Sequence, residues 1–114
     1  RQRSPLLVAE AAPKQVIDEV ERLFADSVRM PSYQWACNSM AETDHRDSLA
    51  SIVVPTLVVC GDEDRVTPPK LSQELAEGIK GSTLAYVKGA GHLANQEHPA
   101  DFNDIVARFA KSLT

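Results

Sequence analysis

The chain predicts an α/β fold, and three observations carry that expectation. Ile52 to Cys60 is a continuous apolar, β-branched run bounded by Gly61, as expected for a strand buried on both faces. Thr83 to Val87 reads as a second strand after Gly81. Between them Leu71, Leu75 and Ile79 repeat at helical spacing, so strand, helix and strand form a βαβ unit with parallel strands and a right-handed crossover.

In chain order, Val16, Ile17, Val20, Leu23, Phe24 and Val28 recur on one face of a long amphipathic helix between Pro13 and Met30. Pro31 stops it. Tyr33, Ala36, Cys37 and Met40 mark a shorter helix with Trp35 beside its stripe, and a third helical piece is expected from about Arg46 to Ser51. After the first strand, Thr67-Pro68-Pro69 reads as an N-cap followed by proline at the first helical position. Gly89-Ala90-Gly91 is a flexible turn after the second strand. Pro99 opens a final helix along Phe102, Ile105, Val106, Phe109 and Leu113.

Composition narrows the functional classes. The 114 residues are 43% hydrophobic and 25% charged, an ordinary globular balance, and the net charge of −4 comes without long blocks of one sign. No basic stripe suggests a nucleic-acid surface or an anionic membrane, and the apolar run broken by Pro55 is far below the roughly 18 residues of a membrane helix. Cys37 and Cys60 stand apart and outside any C-x-x-C pattern, which favours free thiols in a reducing, cytoplasmic compartment. The first residues, from Arg1, lack the charged and apolar regions of a signal peptide, so an excised or processed segment is the expectation.

Parallel strands end on one edge of the sheet, about 4.8 Å apart. Asp64 follows the first strand and His92 the second, so a carboxylate and an imidazole converge at the carboxyl edge, where open α/β sheets place their sites. A carboxylate bonded to one ring nitrogen fixes the tautomer and leaves the other nitrogen free to take a proton. Each residue alone also has a plain reading, Asp64 as a turn former and His92 as a loop or core residue. Asp62 and Glu63 compete for the role of acid, and spacing does not choose among the three. A metal site from Asp62, Glu63, Asp64, His92 and His98 is conceivable, but no H-E-x-x-H or comparable spacing supports it. Gly89-Ala90-Gly91 lacks the third glycine and acidic residue of a dinucleotide site, so no cofactor is expected.

Val54-Pro55-Thr56-Leu57-Val58-Val59-Cys60-Gly61-Asp62-Glu63-Asp64-Arg65-Val66-Thr67-Pro68 resembles the strand-turn segment that carries the triad acid in α/β-hydrolases. Gly89-Ala90-Gly91-His92-Leu93-Ala94-Asn95-Gln96-Glu97-His98-Pro99 is similar to the family's histidine loop. The resemblance selects Asp64, which closes the G-x-x-D pattern, and places His92 as base. It implies a partial α/β-hydrolase fold: residues 53–114 as the last two parallel strands and their helices, and residues 1–52 as the end of a cap returning to the core. In texture the chain is nearest to 3-oxoadipate enol-lactonases and small carboxylesterases, which implies a small-molecule ester or lactone substrate, with Trp35 and Met40 as candidate pocket residues. Both are also compatible with plain core packing.

The departure from the family is the nucleophile. No G-x-S-x-G occurs, and Ser39, Cys37 and Cys60 lack the strand-to-helix elbow that activates a nucleophile beside an oxyanion donor. The isolated chain is therefore expected to be inactive. Dehalogenase, haloperoxidase and carbon–carbon hydrolase chemistry share the acid and histidine loops and stay open as alternatives. A non-catalytic, self-associating module is the other alternative, because two strands leave an open edge and apolar faces that favour a homodimer or a domain swap.

Overall fold

The computed structural model describes residues 4–114. A 3₁₀ turn, Ser4–Leu7, leads into helices α1 (Lys14–Ser27) and α2 (Ser32–Glu42), and a second 3₁₀ turn, Arg46–Ser51, returns the chain to the sheet. There follow β1 (Leu57–Gly61), α3 (Pro69–Gly78), β2 (Thr83–Val87), the single turn α4 (Ala94–Glu97) and α5 (Pro99–Ser112). The expected βαβ unit is present: β1 and β2 pair in parallel, with Leu57 opposite Thr83 and Gly61 opposite Val87.

Side chains alternate across a strand, so Leu57 and Val59 share one face with Ala85 and Val87. Against that face α5 lays Phe102 and Ile105, which with Val59 pack on the buried cluster Val87, Ala90 and Ala94. On the other face Gln73 of α3 donates to the Tyr86 hydroxyl at 3.0 Å. Pro69 and Pro99 start α3 and α5, where a missing N–H costs no intrahelical bond.

Three expectations need correction. The first strand starts at Leu57, not Ile52, because Pro55 removes a ladder donor and holds the preceding residues off the sheet; Val53 is 89% exposed. It is not buried on both faces either. Leu57 to Val59 are half-buried and only Cys60 and Gly61 are buried, since β2 is the sole described strand beside it. Thr67 is not the cap of α3, whose N-cap position is Pro68, and its hydroxyl serves the site instead. The piece from Arg46 to Ser51 is present, in 3₁₀ form.

Residues 5–9 lie across the loops that follow both strands. Val8 and Ala9 are buried, and a Cβ on Gly91 would come within 2.3 Å of the Val8 carbonyl carbon. Gly61 has the same relation to the histidine loop, its missing Cβ falling 2.2 Å from the Gly91 oxygen. Two glycines thus let three stretches of backbone stack at close approach. Among the described residues no helix is long and apolar enough to cross a membrane.

Candidate active site

Gly61 ends β1 and Val87 ends β2, so the two following loops rise from one sheet edge. Backbone bonds hold their bases together: Glu63 N–H donates to the Ala90 carbonyl at 2.9 Å and Asp62 N–H to that of Val87 at 3.2 Å. The Asp62 carboxylate accepts from Gly89 N–H at 2.6 Å, which makes it a brace between the loops. The Glu63 side chain is exposed. Of the three neighbouring acids only Asp64 turns inward, at 8% exposure.

His92 Nδ1 lies 2.9 Å from Asp64 Oδ2, joining residues 28 apart in sequence. The carboxylate is saturated by further donors. Oδ1 accepts from Val66 N–H at 2.8 Å and Thr67 N–H at 3.0 Å, while Oδ2 accepts from the Thr67 hydroxyl at 2.9 Å. Thr67 Oγ1 is also 3.1 Å from His92 Nδ1. Since the Thr67 hydrogen points to Asp64, its oxygen and the carboxylate both face Nδ1 as acceptors, which assigns the ring proton to Nδ1. Nε2 is then the basic nitrogen, and it makes no hydrogen bond among the described residues. Burial pushes the Asp64 carboxyl up, but the bonds from His92, Thr67 and Val66 outweigh it and hold the group below its ordinary value. Asp64 therefore stays charged while the imidazole keeps a free nitrogen at the rim, its side chain 34% exposed.

His92 borders two concavities. One of about 150 Å³ runs beneath the ring past Asp64, Ser72 and Asn95. The other, about 350 Å³, opens between α1 and the histidine loop and is mainly apolar, with Leu23, Phe24 and Val28 facing His92 and Leu93. Trp35 and Met40 line neither. They stand on α2 at 66% and 79% exposure, and the apolar side chains that border His92 come from α1 instead. Helical spacing gives the face of a helix but not which neighbour that face meets.

Three side chains at this edge escape sequence reasoning. Thr67 looks like a cap, although Asp-x-x-Thr is itself a spacing at which a hydroxyl returns to a carboxylate. Arg65 and Glu97 bond to main-chain groups of residues 5–9, and such partners leave no residue pattern to read.

An acid-locked histidine on the carboxyl edge of parallel strands, beside an apolar cleft, has the geometry with which a His-Asp pair can move a proton. The model of the "Alpha/beta hydrolase family" matches residues 2–105, and the chain belongs to that family. It is 33% identical over 88% of its length to the AB hydrolase superfamily protein YisY of Bacillus subtilis (strain 168), and covers 43% of that protein. To 3-oxoadipate enol-lactonase 2 of Acinetobacter baylyi it is 37% identical over 81% of its length, covering 35% of the relative. Among solved structures, the thermophilic esterase of Thermogutta terrifontis superposes with a TM-score of 0.89 at 26% identity, over 97% of this chain and 42% of the esterase. The chain thus spans under half the length of these relatives, and its two-stranded sheet is a partial α/β-hydrolase fold.

Proposed function

We propose that this chain supplies the acid and the base of a Ser-His-Asp hydrolase site acting on an ester or lactone, with the serine provided by a segment outside these 114 residues. The observation that carries the reading is the 2.9 Å Asp64–His92 bond, made through Nδ1 so that Nε2 is left open. In the reaction His92 Nε2 takes the proton of the attacking serine and returns it to the leaving group. Asp64 keeps the tautomer and stabilises the imidazolium that forms. Residues 53–114 are read as the end of the hydrolase core and residues 1–52 as the return of the cap, which puts the apolar cleft of α1 over the acyl chain or lactone ring. The enol-lactonase and esterase relatives support this substrate class.

The test joins this chain behind the serine-elbow half of an esterase relative and follows p-nitrophenyl acetate hydrolysis. His92→Ala is expected to lower kcat by about 10⁵-fold or more and Asp64→Asn by about 10⁴-fold, with KM little changed. Undiminished turnover in His92→Ala sinks the reading, as does a folded chimera that never exceeds its own His92→Ala variant. The chain alone should show no turnover.

A second reading rests on the free edge of β1. With β2 as its sole described neighbour and Val53, Val54, Leu71 and Leu75 exposed, the chain presents a strand edge flanked by apolar surface. This favours a homodimer through that edge. Sedimentation should give a dimer mass at micromolar concentration, and a compact monomer at high concentration overturns it.

A further inference from the structure

Residues 5–9 are fastened to both site loops. From the acid loop, Arg65 Nη2 donates to the carbonyl of Pro5 at 2.7 Å and to that of Val8 at 3.1 Å. From the histidine loop, Leu93 N–H donates to the Leu7 carbonyl at 2.9 Å. Glu97 then closes the arrangement with one carboxylate. Its Oε2 accepts from Ala9 N–H at 2.8 Å and its Oε1 from Gly91 N–H at 2.8 Å. The strap is therefore bonded to the residue after Asp64 on one side, and on the other to Leu93 directly and to Gly91 by way of Glu97.

Asp64 and His92 hang from separate loops, so their bond survives only while the loops keep their spacing. Asp62, Glu63, Gly89 and Ala90 set that spacing at the base, next to the strands. Farther out, at Arg65 and Gly91, the strap spans the gap. We propose that Arg65 and Glu97 are positioning residues that hold His92 on Asp64 by clamping residues 5–9 across both loops; this rests on the acid-base reading of that pair. Glu97 carries more of the effect. It accepts two backbone N–H groups, one of them on buried Ala9, and removing it orphans both donors. Arg65 is exposed, and its two bonds to carbonyls are weaker anchors.

Nitrogen-15 NMR of the full chain tests the proposal through the His92 tautomer, a signature that general loosening of the fold does not by itself move. In Glu97→Ala, exchange of the Ala9 and Gly91 amides should rise by about tenfold or more. The Nδ1–H tautomer of His92 should lose population while the β1 and β2 amides keep their protection. Glu97→Gln should fall between, because its carbonyl accepts one N–H while its NH₂ group faces the other. Arg65→Ala should shift the tautomer in the same direction, and Arg65→Lys should restore it, since an ammonium still reaches the carbonyls. If the Ala9 and Gly91 amides loosen and the tautomer stays put, the strap is structural only and the proposal is overturned. Should Glu97→Ala lose strand protection, the tautomer in Glu97→Gln and Arg65→Ala decides by the same criterion. Asp64→Asn separates the two claims. A tautomer indifferent to it sinks the acid-base reading itself, whereas one that responds to it but not to Glu97 or Arg65 variants sinks only the clamp.

Discussion

At the residue scale the site is an exercise in saturating one carboxylate. Asp64 faces four donors: two backbone N–H groups, the Thr67 hydroxyl and the His92 ring. Its folded value lies below the ordinary one, so the sign of the linkage follows. The unfolded chain takes up the proton first as pH falls, and the stability contributed by Asp64 is full above its unfolded value and lost as pH drops through the folded one. Urea midpoints of the native chain should fall between pH 7 and pH 3 by more than those of Asp64→Asn. At pH 7 the variant should be less stable by roughly 1–3 kcal/mol, because its NH₂ group cannot accept from His92 or Thr67. Equal pH dependence in the two proteins refutes this account. Asp64 and His92 were legible in the sequence because each sits in a contiguous pattern after a strand. Thr67, Arg65 and Glu97 were not, since their roles depend on which distant backbone passes beside them.

The elements were legible to the extent that periodicity decides them. The helices carry their apolar spacing openly, and Thr83–Val87 matches its strand. The first strand was overestimated because an apolar run does not reveal where pairing starts; Pro55 does, and it should outweigh the run. What no periodicity conveys is the stacking of the acid loop, the histidine loop and residues 5–9. Its sequence trace is glycine, at the two places where a Cβ has no room. Gly61→Ala should cost about 2–3 kcal/mol by driving a methyl group into the Ala90 and Gly91 carbonyls. Gly81→Ala makes a useful contrast, having nothing within 4 Å but a φ of +77°, and should cost about 1–2 kcal/mol through backbone strain alone. Only the first change should disturb the His92 ring signals. Equal effects from the two would remove the case for close approach.

For the whole molecule, area and spread make the same point. The accessible surface is 8367 Å², whereas a compact monomer of this mass exposes about 6,100 Å². The radius of gyration is 15.7 Å, against about 13 Å for a compact domain of this length. Few large side chains are fully buried; Val8 and Val87 are the largest among the described residues. The excess area exceeds the roughly 800 Å² that each partner contributes to a standard interface. Either the remainder of a hydrolase core or a second copy would cover it, and the sedimentation and chimera experiments separate the two. Fold class and family could be read from two short segments because they hold the most constrained chemistry. The partial span of the family fold could be read from the missing elbow, and the occupant of the bare face could not, because an exposed apolar side chain does not specify its partner.

The strap also closes the longest hydrogen-bonded loop among the described residues. Pairing Leu57 with Thr83 closes 26 residues, while the Ala9–Glu97 bond closes 88. The longer closure costs about 1 kcal/mol more in chain entropy, and the loops it grips exist only once both strands have paired. The βαβ unit is therefore expected to form first and the strap to dock last, and pulsed hydrogen exchange should protect the β1 and β2 amides before those of Ala9 and Gly91; simultaneous protection would refute that order.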